Sequence, residues 1–119
     1  MGKSTSIKQA NLVMGTLYAT SAVLALGAGY IVDLTGMRAI YIGASAGFVA
    51  CCHAVLAFTE ITVWVPMMSL GLGFAFLAAA FWPAIAFVVP ANSFGIAYGV
   101  VGAFQNTGLA TVPAIVGML

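Results

Sequence analysis

Two oppositely charged side chains stand close together in a chain that carries few charges. Asp33 and Arg38 are two of only five charged residues, and they lie in the segment Gly29-Tyr-Ile-Val-Asp33-Leu-Thr-Gly36-Met-Arg38. Gly29 precedes Asp33 by one helical turn, so a neighbouring helix can approach the carboxylate closely. Gly36 suits a tight turn, and Asp33 can meet backbone N–H groups or an arginine. The spacing predicts a loop that holds two helix bundles in one state and releases them in another, or more simply a charged hairpin.

Polar and aromatic side chains inside apolar runs are the second group of candidates. Gln105 and Asn106 are adjacent amides in the middle of an apolar run, where unpartnered amides are costly. They favour a watery cavity, although amides also join membrane helices. Trp82 precedes Pro83, and a proline within a membrane helix is typical of a cavity wall or a moving element. We predict that Trp82, Gln105, Asn106 and Tyr18 line a cavity; the alternatives are an interface anchor for Trp82 and helix packing for Tyr18.

The remaining reactive side chains do not form a catalytic or metal-binding pattern. His53 has an unperturbed pKa of about 6.5 and could sense pH, but a hydrogen-bonded packing histidine is the favoured interpretation. Cys51 and Cys52 are adjacent within an apolar run, which indicates small membrane-helix residues. No nucleophile–base pair or metal-ligand cluster is visible, so we expect neither an enzyme nor a metal or other cofactor.

The composition places these residues in a lipid bilayer. Of 119 residues, 64% are hydrophobic and only 4% are charged, and the mean hydropathy is +1.19. This balance is that of an integral membrane protein, not of a soluble domain. The net charge of +1 argues against nucleic acid as a partner.

Four apolar runs are long enough to cross a membrane, and they predict an all-α protein with four transmembrane helices. The predicted spans are about 10–32, 39–58, 63–89 and 94–119. The second run contains Gly43-x-x-x-Gly47, which predicts a seam for close helix packing. The fourth run reaches the last residue without a polar exit, as we expect of a piece of a longer chain.

Five segments resemble one branch of the major facilitator superfamily. They are GYIVDLTG (29–36), HAVLAFT (53–59), WPAIAFVVP (82–90), AYG (97–99) and QNTGLA (105–110). In order and separation they resemble the C-terminal half of its lysosomal dipeptide transporters. The spacing G-x-x-x-D-x-x-G-x-R is similar to the short cytosolic loop motif of the superfamily. Leu34 and Met37 stand where that motif usually has basic residues, which weakens the charge network of the loop.

The resemblance implies a fragment, residues 1–119, of a carrier with twelve helices in two halves. The four runs would be helices 8–11, and the loop 29–38 would be cytosolic. The third run would line the cavity, the first and fourth would flank it, and the second would be peripheral. The implied function is uniport of dipeptides out of the lysosome by alternating access. The implied partners are the dipeptide substrate, the lipid bilayer, the missing N-terminal half of the carrier and an accessory glycosylated lysosomal membrane protein.

Charge counting and other protein classes leave alternatives. Lys3 and Lys8 precede the first run and only Arg38 follows it, so a positive-inside count would place the N-terminal side in the cytosol. The resemblance instead implies that the loop 29–38 is cytosolic, and we adopt that orientation. The first alternative to the dipeptide carrier is a major facilitator carrier for another small solute, and a non-transporting membrane scaffold is a further possibility. A complete four-helix small multidrug-type exporter requires a carboxylate deep in its first helix, and the run between Asn11 and Val32 has none. No charged residue is evident for the termini of a dipeptide, so we expect the missing half to hold them.

Overall fold

Four long α-helices make up nearly all of the chain. The computed structural model describes residues 2–118, with side chains from Ser6 onward, so Met1 and Leu119 of the predicted 1–119 span lie outside the described residues. The helices are α1 (Gly2–Thr35), α2 (Arg38–Phe58), α3 (Trp64–Val88) and α4 (Phe94–Met118), with a 3₁₀ turn at Ala91–Ser93 before α4. Helix α1 begins well before the predicted apolar run, and residues 2–9 contain no proline that would break it.

Each helix is long and apolar enough to cross a bilayer. The spans are Ser6–Thr35, Arg38–Phe58, Trp64–Val88 and Ala91–Met118. Even the shortest, with 21 residues, matches the core thickness of about 30 Å at a rise of about 1.5 Å per residue. Large apolar side chains such as Val23, Leu26 and Phe104 are mostly exposed on these helices, as suits lipid or further helices. The predicted all-α, multi-pass membrane fold is confirmed.

The chain divides into two compact units, residues 1–82 and 83–119, and the division falls within α3 at the Trp82–Pro83 bond. In the first unit, α3 packs against both other helices at two glycines. A Cβ atom added to Gly71 would lie 2.6 Å from the Leu17 carbonyl oxygen of α1. A Cβ atom added to Gly73 would lie 2.9 Å from side-chain atoms of Phe48 and Val49 of α2. Glycine is therefore required sterically where α3 meets its neighbours.

Small and apolar side chains form the core of the first unit. Val32 is fully buried at the end of α1, and Ala75 and Ala80 are almost fully buried on α3. Tyr41 of α2 stacks on Phe76 of α3 with ring centroids 5.9 Å apart. Aromatic stacking adds about 0.5–1.5 kcal/mol to the burial of such a pair. The α2–α3 contact thus combines an aromatic pair, Tyr41 on Phe76, with large α2 side chains that pack against Gly73.

The glycine seam predicted on α2 does not serve this packing. Cβ atoms added to Gly43 and Gly47 would meet nothing within 4 Å among the described residues. Helix α2 instead buries Ser45 and Cys52, which lie on a different face. No described residue packs on the Gly43–Gly47 seam, which therefore stays a prediction, because a glycine repeat shows where a helix can approach but not which neighbour it has.

The second unit contains the last residues of α3, the 3₁₀ turn and α4. No described residue of α4 is buried. Cβ atoms added to Gly95, Gly99, Gly102 and Gly108 would meet open space. Helix α4 therefore presents an apolar, glycine-rich surface on which the described residues leave room for close approach.

Candidate functional site

The hairpin between α1 and α2 is closed by Gly36. This residue has φ +69°, the left-handed conformation that favours glycine. Its N–H donates to the Val32 carbonyl at 3.0 Å, which satisfies a carbonyl at the end of α1. The Arg38 N–H donates to the Gly36 carbonyl at 3.0 Å, so only two residues separate the helices. The tight turn expected at Gly36 is confirmed.

Asp33 and Arg38 are brought together across this turn. The Arg38 guanidinium donates from Nη2 to Asp33 Oδ1 at 2.6 Å. The Asp33 side chain is 66% exposed and that of Arg38 is 21% exposed. An exposed pair of this kind contributes no more than about 1 kcal/mol to stability. The pair therefore orients the hairpin more than it stabilises the fold.

Gly29 leaves open space one turn before Asp33. A Cβ atom added to Gly29 would meet nothing within 4 Å among the described residues. Thr35, on the other side of Asp33, donates its hydroxyl to the Ile31 carbonyl at 2.9 Å. Asp33 is thus an exposed acceptor at a helix end, beside a surface on which another helix can pack.

Gln105 and Asn106 are both exposed, and the structure gives neither side chain a hydrogen bond within residues 6–118. The neighbouring hydroxyls differ, because Thr107 donates to the Ala103 carbonyl at 2.8 Å and Thr111 donates to the Thr107 carbonyl at 2.7 Å. These hydroxyls satisfy themselves within α4, as serine and threonine commonly do in membrane helices. The two amides are therefore the polar groups of this stretch that need a partner from elsewhere.

Trp82 lies near the end of a packed face of α3. Its indole is half-buried and meets the ring of Phe81 edge-on, with centroids 5.7 Å apart and an interplanar angle of 76°. Gly71 and Ala75, on the same helical stripe, are buried. Pro83 follows inside the helix, so the Ala79 carbonyl receives no N–H from the residue four positions on. Trp82 thus lies between a stripe of buried residues and Pro83, where α3 lacks one backbone hydrogen bond.

Tyr18 is 62% exposed on α1. The four predicted cavity residues therefore lie on three helices, with Tyr18 on α1, Trp82 on α3 and the two amides on α4. Their exposure is compatible with a cavity wall and equally with packing against further helices.

His53 and the cysteines lie on α2, which carries none of the four predicted cavity residues. The Nδ1 atom of His53 is hydrogen-bonded to the Val49 carbonyl oxygen at 2.8 Å, and the ring is exposed. Cys51 and Cys52 line an apolar cavity of about 220 Å³ between α2 and α3. A second apolar cavity of about 250 Å³, next to the Tyr41–Phe76 pair, also lies between these helices.

Within residues 2–118, no group of three or more histidine, cysteine or acidic side chains could hold a metal ion.

Pro113 is a residue that the sequence interpretation missed. It lies inside α4, which continues to Met118. The signal was present in the sequence, since a proline stands eight positions after Gln105 within one apolar run. A proline in such a run interrupts the backbone hydrogen bonds of the helix near the amide pair.

Four membrane-spanning helices with a charged hairpin define a segment of a multi-pass membrane protein. Its relatives are lysosomal dipeptide transporters named MFSD1. The chain is 38% identical to the human protein over 114 residues, which are 96% of this chain and 24% of the relative. It is likewise 38% identical to the Bos taurus protein over the same extent, and 35% identical to the Danio rerio protein over 111 residues. No family model matches the chain, and no solved structure matches it.

The chain spans about a quarter of the length of the curated relatives it matches. The resemblance observed in the sequence is confirmed: the chain is homologous to a segment of the MFSD1 transporters. Its four helices fit a fragment of the multi-helix fold of the major facilitator superfamily.

Proposed function

We propose that this chain is part of a carrier that moves dipeptides out of the lysosome by alternating access, as a uniporter. The observation that carries the proposal is the similarity to lysosomal dipeptide transporters over 96% of the chain. Helices α1–α4 would be helices 8–11 of twelve, in the C-terminal half, with residues 29–38 in the cytosol. The homologues are named as transporters, so carriage and not catalysis is the proposed activity.

Gln105 and Asn106 support a substrate-facing role for α4. Each has an exposed amide without a described partner, in a helix that crosses the membrane. Leaving a buried amide unpaired costs about 1–3 kcal/mol, so these groups require water, substrate or another helix. We place them on the wall of the substrate cavity, where amides can bind a peptide backbone. Trp82 adds an apolar face with one N–H donor, and Tyr18 adds a phenol.

The Asp33–Arg38 hairpin supports a conformational role. The pair is exposed and adjoins the open surface over Gly29, so the other half of the carrier can dock there in one state. We propose that docking engages Asp33 and that the alternate state releases it. Gly29, Asp33, Gly36 and Arg38 would then form the conformational-switch loop.

The partners follow from the same proposal. They are a dipeptide substrate, the remaining part of the carrier and an accessory glycosylated lysosomal membrane protein. The lipid bilayer is required by the four membrane-spanning helices. The net charge of +1 provides no basis for binding nucleic acid.

Transport by the full-length parent protein tests the proposal. The protein is purified and reconstituted into vesicles, and uptake of a radiolabelled dipeptide is measured with and without imposed proton or sodium gradients. We expect saturable uptake that needs no ion gradient, and fluorescence of a tagged copy at the lysosomal membrane. Vesicles without protein are the control. If the protein takes up another small solute and no dipeptide, the proposed substrate is wrong. If uptake strictly requires an ion gradient, the proposed uniport mechanism is wrong.

A further inference from the structure

We propose that a membrane sterol binds in the groove between α2 and α3, with its hydroxyl group at Ser45 and its hydrocarbon body against the apolar side chains beyond. The α2–α3 groove consists of the two apolar cavities between these helices, and Phe48 lines both of them. Sterol binding here is independent of the solute that the carrier transports.

The two cavities lie in line along one face of each helix. On α2, the first cavity extends from Tyr41 to Phe48 and the second from Phe48 to Val55, and the lining residues recur at the three- and four-residue spacing of a single helix face. On α3, which runs in the opposite direction, the same cavities are lined within 72–76 and within 65–69. At a rise of about 1.5 Å per residue, the groove is about 21 Å long from Tyr41 to Val55. It exceeds half of the bilayer core thickness of about 30 Å, so it can hold a lipid of one leaflet along its length.

The groove has a floor of small buried residues and a rim of larger exposed ones. In the first cavity Ser45 and Gly73 are buried, whereas Phe48 and Leu72 are 42% and 37% exposed. A cavity of about 250 Å³ between such walls is too small for a further helix, which measures about 10–12 Å across with its side chains. A narrow, elongated lipid fits this shape. Since both helices cross the bilayer, such a ligand reaches the groove from the membrane.

Ser45 supplies a buried hydroxyl on the floor of the first cavity. The residue is only 6% exposed and lines this cavity, and the structure gives its hydroxyl no hydrogen bond within residues 6–118. Ser69 in the second cavity differs, because its hydroxyl donates to the Val65 carbonyl oxygen at 3.0 Å within α3. A buried hydroxyl without a hydrogen bond is costly, so Ser45 favours a ligand that brings one hydroxyl of its own.

The polar end of the groove is the end nearer the membrane surface. Arg38 begins α2, and Tyr41 and Ser45 follow it by three and seven positions, which places them about 4.5 Å and about 10 Å deeper. A sterol has the matching polarity, with a hydroxyl at its surface end and a rigid hydrocarbon body towards the middle of the bilayer. Its flat ring system also suits Tyr41 and Phe76, which line the first cavity with rings only 10° from parallel.

The charges argue against a phospholipid headgroup as the recognised group. No charged side chain is among the residues that line the two cavities. Arg38 is the charged residue nearest to the first cavity along α2, and its guanidinium donates to Asp33 at 2.6 Å, which neutralises its charge. The described residues thus offer a phosphate no unneutralised cation at the groove, whereas an uncharged sterol requires none.

Photolabelling of the full-length protein in phosphatidylcholine vesicles tests the site. The probe is cholesterol that carries a photoactivatable diazirine, and mass spectrometry locates the labelled residues, which we expect within 41–55 and 65–76. Ala44→Phe should reduce labelling about tenfold, because Ala44 is exposed and lines the first cavity, which the added ring would fill. The matched control is Ala46→Phe, which adds the same ring at an exposed position of α2 that lines neither cavity. It should be labelled as the wild type is.

The hydroxyl is tested separately by competition. Unlabelled cholesterol should suppress labelling more strongly than cholestane, which has the same ring system without the hydroxyl. Ser45→Ala should weaken competition by cholesterol about fivefold, since one neutral hydrogen bond is lost, and should leave competition by cholestane unchanged. Ser69→Ala is the matched control and should change neither, because the Ser69 hydroxyl donates within its own helix.

Other outcomes overturn the inference. Labels outside the α2–α3 groove, or equal labelling of the wild type and Ala44→Phe, would place the sterol elsewhere. Equal competition by cholestane and cholesterol would show that the groove takes any apolar body, and stronger competition by phosphatidic acid would make it a phospholipid site. An unlabelled wild type would also overturn it, and crosslinks from a photoactivatable amino acid at position 44 to another helix would then show a helix contact in its place. The Tm of every variant is measured, so that loss of labelling through unfolding is recognised.

Discussion

Helices α3 and α4 use glycine in opposite ways. Gly71 and Gly73 are buried where α3 touches α1 and α2, and an added methyl group would collide with atoms of those helices. Gly99 and Gly102 of α4 have open space at the same position, and no described residue of α4 is buried. Identical residues thus serve internal packing in one region and leave an uncovered surface in the other. The difference separates the part that folds upon itself from the part that awaits a ligand or further helices.

The comparison is tested most strongly by asking whether the segment works alone. Residues 1–119 reconstituted into vesicles should show no substrate uptake, because α4 is uncovered and a single set of four helices encloses no alternating cavity. The measurement is uptake of labelled dipeptide, with full-length protein as the positive control. Uptake by the fragment at a rate near that of the full-length protein would show that the uncovered surface is already complete.

Gly71→Ala in the full-length protein should lower stability by about 1–3 kcal/mol, because its methyl group would collide with the Leu17 carbonyl in a packed contact. The measurement is the Tm in detergent. Gly99→Ala, on the open face of α4, is the matched control and should remain within about 0.5 kcal/mol. Equal destabilisation by both variants would mean that α4 is packed as tightly as α3 in the full protein, and the contrast between the regions would disappear.

Asp33→Ala should reduce the transport rate about tenfold while the Tm stays the same, a coupling typical of conformational equilibria. The exposed ion pair with Arg38 adds little to stability, so the loss falls on switching between states. Initial uptake rates and Tm are measured together. Glu60→Ala, at the other exposed carboxylate, in the α2–α3 connection, is the control and should transport normally. If Asp33→Ala transports at the wild-type rate, the α1–α2 hairpin has no role in switching between states.

Asn106→Leu should weaken apparent substrate affinity several-fold, by the loss of about one hydrogen bond, without lowering the Tm. The reason is that Asn106 has no described partner within the chain, so its removal leaves no group of this segment unsatisfied. Asn92→Leu, at an exposed amide in the turn before α4, is the control. Loss of stability with unaltered affinity in the surviving protein would show that Asn106 joins helices and does not face the substrate.

Hydropathy and turn chemistry were sufficient to predict the helices. Four apolar runs separated by short polar segments correspond to the four helices, and Gly36 adopts the turn conformation that its place after Thr35 indicates. These features depend on local sequence, because each membrane helix satisfies its own backbone hydrogen bonds. The contact between Asp33 and Arg38 also depends on local sequence, because only one short turn separates the two residues.

The sequence did not show which glycines lie in contacts between the helices. Gly43 and Gly47 form the more conspicuous repeat, yet the close contacts are made by Gly71 and Gly73. A repeat defines a smooth helix face, but which face is covered depends on the neighbours available in three dimensions. The cavity residues Trp82, Gln105, Asn106 and Tyr18 stay predictions for a similar reason, because a cavity wall is defined by what stands opposite.

The two-residue connection at Gly36 and Met37 also constrains how the protein is made. With so short a link, α1 and α2 form one hairpin, and we expect the two helices to enter the bilayer together during biogenesis. Any residue other than glycine at position 36 would have to adopt φ +69°, at a cost of about 1–2 kcal/mol for an L-amino acid. That cost would arise at the moment the nascent chain reverses direction, before any later helix is available to compensate. A substitution there would therefore lower the yield of correctly inserted protein before it affected the finished molecule.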